Sequence, residues 1–251
     1  DMCTRDSTVA VRMPSHPVAL ELIRQSGVCV AAPSANASGR PSPSKASHVY
    51  EDLKGKIDYI LDGGSVDIGI ESTIVDMTGT VPAILRPGYI TPEQIEAAIG
   101  KVEFDPAVFS AATDIKPKAP GMKYTHYAPK GTLSIVEGDR EAVVRRICAM
   151  VEEKQAAGYK VGVLAARETA DRYRADTVLT IGCRAEPVTM AARLYACLRE
   201  FDEEGTEFMY SEAFGGDSLG NAIMNRLLKA AGHRVIYAEK KPAEGLSCRE
   251  Q

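Results

Sequence analysis

The first hundred residues alternate between short apolar runs and amphipathic segments. Four apolar runs predict β-strands, at 9–12, 28–32, 59–61 and 73–76. Two amphipathic segments between them predict helices, at 17–26 and 45–53. Thr91, Pro92 and Gln94 form the pattern of a capping box with proline at the first helical position, so they predict a helix that ends at Gly100.

After residue 130 the pattern becomes a regular alternation of strands and helices. Strands are predicted at 133–137, 160–165, 177–181 and 208–213. Helices are predicted at 140–157, 168–174, 190–203 and 219–231. A strand, a right-handed crossover helix and a parallel strand form the economical arrangement for such an order. The second half therefore predicts a small three-layer α/β domain.

A proline-rich segment separates the two halves. It contains Pro106, Pro117, Pro120 and Pro129. A continuous helix or a central strand is excluded there, because each proline fixes φ and removes a backbone donor. The segment is longer than a usual connection and is therefore a linker or a functional loop. We divide the chain into a first domain, this segment, a second domain and a flexible tail, at 1–104, 105–130, 131–238 and 239–251.

Composition restricts the class of protein. In 251 residues, 45% are hydrophobic and 25% charged, which is typical of a globular chain. The formal net charge of −4 argues against a broad basic surface for nucleic acid. No apolar run is long enough to cross a membrane, and six scattered cysteines without a CxxC pair predict a reduced, cytoplasmic, zinc-free protein. The sequence starts at Asp1, close to an apparent strand, which hints that it begins within a longer protein.

A loop of small polar residues follows the predicted strand 28–32. Its sequence PSAN includes Ser34 and Asn36, and Ser42 comes shortly before the next helix. Ligands of open α/β sheets collect at the carboxyl ends of strands, where hydroxyl, amide and backbone N–H groups suit phosphate or carboxylate oxygens. An ordinary turn followed by a helix cap explains the same residues, and composition alone favours it.

Two arginines are further candidates for anion binding. Arg12 ends an otherwise apolar predicted strand, and Arg86 enters a tight turn in the sequence LRPG. An arginine in an apolar segment usually has a carboxylate or phosphate partner. A structural salt bridge explains Arg12 nearly as well, and a solvated turn explains Arg86. Glu71-Ser72-Thr73, after a glycine-rich stretch, is a third polar element.

The sequence PGMKYTHYAP, at 120–129, combines a cation, an imidazole and two tyrosines within a proline-bounded loop. Such a composition is typical of a lid over a site, although a plain linker has equal weight. The standard glycine-rich nucleotide motifs are absent from the sequence. Nothing in the pattern assigns a covalent nucleophile or an acid–base pair.

Taken in order, several motifs resemble those of one enzyme family. They are TVAVRMPSHP, AAPSANASGRPSPS, IDYILDGG, GIESTIVD, ILRPGYIT and PGMKYTHYAPK. Together they resemble the YrdC-like threonylcarbamoyl-AMP synthases in their two-domain form, over essentially the whole chain. The resemblance implies an α/β fold with a twisted open-sheet catalytic domain, incomplete at its start, and a Rossmann-like C-terminal domain.

The resemblance also implies a nucleotidyltransferase reaction and the residues for it. L-threonine, bicarbonate and ATP, with Mg²⁺, would give threonylcarbamoyl-AMP and pyrophosphate, and a tRNA-modifying protein complex would receive the product. Expected at L-threonine are Arg12, Ala32 and Ser72. Expected at ATP are Thr8, Ser34, Asn36, Ser42, Arg86, His126 and Tyr127. No residue is expected to ligate a metal by itself.

One departure from the family pattern bears on activity. The family's catalytic domain opens with further strands and a Lys-x-Arg segment, and the sequence contains no counterpart of that segment on a comparable strand. The resemblance therefore predicts that this chain alone is a weak or inactive catalyst. The alternative is a non-catalytic RNA- or nucleotide-binding module, for which only four linker lysines, at 116, 118, 123 and 130, offer support. For the second domain the sequence indicates a structural partner without a site of its own. Capping and surface exposure account for its polar positions Glu212, Asn221 and Asn225.

Overall fold

The computed structural model describes residues 8–108, 127–216 and 218–238. The helices of this part are α1 Pro17–Ser26, α2 Ala46–Leu53, α3 Pro92–Ile99, α4 Arg140–Ala156, α5 Pro187–Glu203 and α6 Ser218–Ala230. The strands are β1 Ile74–Asp76, β2 Ala83–Arg86, β3 Glu103–Phe104, β4 Thr132–Glu137, β5 Val161–Ala166, β6 Thr177–Gly182, β7 Phe208–Glu212 and β8 Val235–Tyr237. In the described part no helix has the length and apolarity that a membrane crossing requires.

Five parallel strands form the larger sheet, in the order β6-β5-β7-β4-β8. The inner strand β5 is buried along its whole length, as expected for a parallel sheet covered on both faces. Side chains of α5 and α6 contribute to the core on one face, and those of α4 to the core on the other. The predicted α/β class is confirmed, and β8 is an additional strand that the sequence pattern did not predict.

A smaller sheet lies in the first part of the chain. β1 pairs with β2 in antiparallel orientation, and β2 pairs with β3 in parallel orientation. Beside it, α3 starts with the predicted capping box, in which Thr91 and Gln94 each accept a hydrogen bond from the other's backbone N–H. Ile84, Ile95 and Val102 form the small core between strand and helix. This sheet brings the ends of β1 and β2 next to the larger domain.

The predicted strands at 9–12, 28–32 and 59–61 are not found. Apart from an isolated bridge at Val9, these residues have no regular structure. Val11 is 86% exposed and Tyr59 is 89% exposed. An apolar run becomes a strand only where a neighbouring strand satisfies its backbone groups. No described strand runs beside these three segments, and an apolar pattern cannot reveal that.

The predicted helix at 168–174 is also wrong, since the segment contains one short 3-10 turn, Ala170–Arg172. Thr169 and Tyr173 flank this turn, and both donate their hydroxyls to the carboxylate of Glu212. These bonds hold the segment against the end of β7. Glu212, which the sequence placed at the surface, is only 1% exposed because this network surrounds it.

Candidate active site

Glu71, shortly before β1, is the residue at which several parts of the chain meet. Its carboxylate accepts a hydrogen bond from Ser42 Oγ at 2.9 Å. The hydroxyl of Tyr195, on α5, lies 2.9 Å from each of the two carboxylate oxygens. Arg226, on α6, donates from Nε at 3.1 Å. The carboxylate of Glu71, whose side chain is 18% exposed, thus joins the first domain to two helices of the second.

Two arginines bind backbone carbonyl groups at Glu71 and in the two loops beside it. Arg226 donates from Nη2 to the carbonyl oxygen of Glu71 at 3.2 Å, and from Nη1 to the carbonyl oxygen of Pro87. Arg86 donates from Nε and Nη2 to the carbonyl oxygen of Ser72, at 3.2 and 2.9 Å. The loop that contains Ser72 and the loop that contains Pro87 are therefore held together by buried guanidinium groups.

The same two loops approach each other closely at Gly88. A Cβ atom on Gly88 would lie 2.3 Å from the backbone nitrogen of Thr73 and 2.6 Å from the carbonyl oxygen of Glu71. No side chain fits at such distances from backbone atoms. The glycine of the LRPG motif is thus explained by the contact between this turn and the ESTIVD segment.

The charges around Glu71 alter one another's titration. Burial disfavours the charged form of Glu71, but Arg226 and Arg86 more than compensate and lower its pKa from the ordinary value. Lys229, one turn after Arg226 on α6, is half-buried. Burial, followed by the charges of Arg226 and Arg86, lowers the pKa of Lys229 to about 8, against the opposing effect of Glu71. Titratable groups whose pKa is shifted both by burial and by specific neighbouring charges are typical of functional sites.

Tyr127 extends this cluster from the end of the proline-rich segment. Its ring lies 5.0 Å from that of Tyr195, centroid to centroid, and its side chain is buried. Burial and then the charge of Glu71 raise the pKa of Tyr127 to about 12. Tyr127 also has φ 68°, which is uncommon for a residue other than glycine. His126, predicted beside it, lies outside the described residues.

A second network holds the PSAN loop. Asn36 donates from Nδ2 to the carbonyl oxygens of Ala37 and Arg40, at 3.0 and 3.2 Å. Asp52, on α2, accepts the backbone N–H of Ala37 at 3.0 Å and forms an ion pair with Arg40. Arg199 from α5 forms an ion pair with the same carboxylate at 2.7 Å. The loop is therefore held in place by the carboxylate of Asp52, which in turn is paired with Arg199 of the second domain.

The structure brings some of the predicted site residues together and leaves others apart. Ser42, Ser72, Arg86 and Tyr127 gather around Glu71. Thr8 is half-buried. Asn36 is half-buried and belongs to the second network. Three others are exposed and are not partners of Glu71, namely Arg12, Ala32 and Ser34. The predicted apolar strand that ends at Arg12 is not found, since the segment is neither a strand nor buried.

Sequence reasoning missed Tyr195, Arg199 and Arg226, which reach this site from the second domain. A signal was present, because both arginines lie on the apolar faces of their helices. Tyr195, one turn before Arg199, and Ala222, one turn before Arg226, are both buried on the same faces. A buried arginine requires an acidic or carbonyl partner. The sequence could have predicted the need for partners but not their identity.

Carboxylates and imidazoles do not assemble into a preformed metal centre here. Among residues 8–108, 127–216 and 218–238, no group of three or more His, Cys, Asp or Glu is arranged to hold a metal ion. The carboxylate at the centre of the site, that of Glu71, already accepts hydrogen bonds from three side chains.

Two protein-family models match the chain. A model described as the C-terminal domain of threonylcarbamoyl-AMP synthase matches residues 90–232. A model described as telomere recombination matches residues 1–88. Together they cover nearly all of the described residues.

Individual relatives have the name that the first of these models also bears. The chain is 52% identical to a threonylcarbamoyl-AMP synthase of Bacillus subtilis over 229 residues, which are 91% of this chain and 64% of the relative. It is 46% identical to the Pyrococcus abyssi enzyme of the same name, over 91% of this chain and 65% of the relative. The crystal structure of P. abyssi Sua5 complexed with L-threonine superposes with a TM-score of 0.84 at 45% identity, covering 93% of this chain and 66% of that one. The chain thus spans just under two thirds of the length of these relatives.

Proposed function

The chain belongs to the threonylcarbamoyl-AMP synthase family, and on that basis we propose that it takes part in making threonylcarbamoyl-AMP from L-threonine, bicarbonate and ATP. One observation carries the proposal: Ser42, Ser72 and Arg86, from three separate motifs, converge on the single carboxylate of Glu71 or on its neighbouring backbone. A related structure that holds L-threonine has the same fold, which supports threonine as a substrate.

The proposed reaction has two steps, and each conserves atoms and charge. The amino nitrogen of L-threonine attacks the carbon of bicarbonate, and loss of water gives N-carboxythreonine. A carboxylate oxygen of this carbamate then attacks the α-phosphorus of ATP, and the bond from the α-phosphorus to the bridging oxygen breaks. Pyrophosphate leaves, and threonylcarbamoyl-AMP remains. The enzyme is in this sense a nucleotidyltransferase.

The substrate-binding residues follow from the family motifs. L-threonine is assigned to Arg12, Ala32 and Ser72. ATP is assigned to Thr8, Ser34, Asn36, Ser42, Arg86, His126 and Tyr127. A guanidinium group such as that of Arg12 can bind a carboxylate with two parallel hydrogen bonds, and exposure leaves it accessible to a ligand. Hydroxyl and amide groups suit the neutral and anionic oxygens of an adenylate.

Catalysis of this kind requires positioning and charge stabilisation rather than a covalent nucleophile. Arg86 supports both, because two of its nitrogens are fixed on the carbonyl oxygen of Ser72. A guanidinium group held in this way does not have to reorganise as negative charge develops on the phosphates. The pKa of Arg86 is lowered, chiefly by burial and then by Arg226, which fits a cation in a site of low polarity.

Magnesium belongs to this proposal as part of the nucleotide substrate. Mg²⁺ is commonly bound by substrate phosphates with one or two carboxylates and several waters, so it needs no cage of protein ligands. Glu71 has its oxygens engaged by Ser42, Tyr195 and Arg226. The residues around the site therefore fit a metal that arrives on ATP better than one held by the protein alone.

The wider setting is proposed from the same family membership. The product would pass to a protein complex that modifies tRNA. Cys29, Cys148, Cys183 and Cys197 are free thiols, which fits the reducing cytoplasm. A non-catalytic RNA-binding module is disfavoured by the net charge of −4. We also propose that the domain boundaries lie at 1–104 and 131–238, with a connecting segment between them.

Release of pyrophosphate tests the function in the protein that carries this sequence. We expect release to require ATP, L-threonine and bicarbonate together, and Arg86→Ala to abolish it. The matched control is Arg172→Ala, which removes a surface arginine paired with Glu141 and should leave the rate unchanged. Pyrophosphate release that is indifferent to L-threonine would contradict the proposal.

A further inference from the structure

The second domain reaches the site through two buried side chains, Tyr195 of α5 and Arg226 of α6. Tyr195 is 1% exposed and Arg226 is 1% exposed. Both bind Glu71, which is separated from them by 124 and 155 residues of sequence. This contact is unlike a usual domain interface, since its centre is a charged carboxylate surrounded by four side chains, those of Ser42, Tyr195, Arg226 and Arg86.

The bonds continue from Glu71 to residues assigned to substrates. Ser42 donates directly to the Glu71 carboxylate. Ser72 is the next residue in the chain, and its carbonyl oxygen accepts two bonds from Arg86. Movement of Glu71 would therefore displace Ser42, which is assigned to ATP, and Ser72, which is assigned to L-threonine.

Arg226 restrains a second element at the same time. Through Nη1 it binds the carbonyl oxygen of Pro87, directly after Arg86. Because its other nitrogens hold the carboxylate and carbonyl of Glu71, this one guanidinium group fixes the distance between two motifs. Its planar arrangement of donors allows three acceptors to be held at once, which a lysine ammonium group does less well.

A purely structural role would explain a buried ion pair without involving the substrates, and the chain contains such a pair for comparison. Glu212 is buried, accepts the hydroxyl of Tyr173 at 2.7 Å and forms an ion pair with Arg184. Its partners all belong to the second domain. The Glu71 network has the same chemistry, but its bonds end on Ser42 and on the loops of Ser72 and Pro87.

We propose that Tyr195 and Arg226 are positioning residues of the synthase reaction, through which the second domain holds Ser42, Ser72 and Arg86 in place by way of Glu71. The inference rests on the proposed function for the identity of the ligands. It assigns the second domain a part in substrate binding without any contact between these two residues and a substrate.

The test compares Tyr195→Phe with Tyr173→Phe. Each variant removes one buried hydroxyl that donates to a glutamate paired with an arginine, and leaves the ring in place. A hydrogen bond to a charged group contributes enough that its loss weakens a dependent equilibrium about tenfold. We expect the two variants to lose similar stability against urea, but only Tyr195→Phe to bind ATP and L-threonine about tenfold more weakly.

Hydrogen exchange of the unliganded protein gives a second readout. We expect amide exchange at 71–73 and 86–88 to accelerate in Tyr195→Phe and to match the parent protein in Tyr173→Phe. Equal exchange at these residues in both variants, or unchanged ligand binding by Tyr195→Phe, would overturn the inference. If the parent protein bound neither ligand, the proposed function would fail, and the exchange rates would still decide whether Tyr195 positions the loops.

Arg226 provides an independent arm of the test. Arg226→Lys keeps a positive charge near Glu71 but cannot hold Pro87 in the same geometry, whereas Arg226→Met loses both. Positioning predicts a graded series, in which Arg226→Lys retains part of the ligand affinity that Arg226→Met loses. Equal affinity in Arg226→Lys and the parent would show that the link to Pro87 has no role. If Arg226→Met does not fold, Tyr195→Phe decides the question.

Discussion

Arg199 and Asp52 form an ion pair at 2.7 Å in which both side chains are completely buried, although 147 residues of sequence separate them. Arg199 also donates to the carbonyl oxygen of Pro41 from two nitrogens. Because Asp52 in turn holds the backbone of Ala37, the PSAN loop is anchored on α5 of the second domain. Each of the two motif regions of the first domain thus has its own buried arginine from the second.

Removing one partner of this pair should lower the free energy of unfolding substantially. Arg199→Met leaves the Asp52 carboxylate buried with less compensation, and we expect a loss of about 3–5 kcal/mol in the free energy of unfolding. Urea denaturation measures it. The control is Arg24→Ala, which breaks an exposed pair with Glu21 on α1, and exposed pairs contribute only about 0–1 kcal/mol. Equal losses in the two variants would contradict the buried arrangement.

Glu71 should make stability depend on pH in the acidic range. Its pKa in the folded protein is lower than the ordinary 4.5, so the unfolded chain takes up a proton first as the pH falls. The stabilisation is therefore complete above 4.5 and is lost as the pH falls through the folded-state pKa. We expect Glu71→Gln to be less stable than the parent at neutral pH and to show a smaller loss on acidification, as measured by urea unfolding at each pH. A parallel loss in both proteins would contradict the assignment.

Lys229 should also make stability rise with pH, but in the alkaline range. Its pKa is about 8 when folded and 10.5 ordinarily, so between these values the unfolded chain binds more protons than the folded one. Stability should therefore rise with pH across this window because of Lys229. We expect the difference in free energy of unfolding between the parent and Lys229→Met to change with pH from about 8 to about 10. A difference that is constant across this pH range would mean that the pKa of Lys229 is not lowered in the folded protein.

Gly88→Ala should disturb the site because the added Cβ would meet the backbone of Thr73 at 2.3 Å. Neither loop can yield without moving Ser72 or Arg86, so weaker binding of ATP and L-threonine is expected along with lower stability. Gly215→Ala is the matched control, since its Cβ would have only ordinary contacts, at 3.8 and 3.9 Å. Calorimetry on both variants checks the difference, and unchanged affinities in Gly88→Ala would contradict the close approach of the two loops.

Local features were predictable from the sequence where neighbouring residues determine them. The capping box of Thr91 and Gln94 depends on four consecutive positions, and the structure confirms it. The alternation after residue 130 likewise gave the α/β class. By contrast, the run at 28–32 has strand composition but no partner among the described strands, and composition contains no information about partners.

The site itself was predictable only in part, for a related reason. Ser42, Ser72 and Arg86 belong to short motifs that are each weak alone and become specific when they are taken together, in their order along the chain. Arg226 acts through Glu71, 155 residues away, and a single sequence does not show which distant residues meet. The apolar neighbours of Arg226 on α6 indicate that it is buried, so they predict that a partner exists without identifying it.

Calorimetric titration with ATP, with and without L-threonine, tests the central claim most directly. We expect each ligand to strengthen binding of the other, and we expect Arg12→Ala to abolish this enhancement while Arg172→Ala preserves it. Binding of neither ligand by the parent protein, or ATP binding that L-threonine leaves unchanged, would contradict the account.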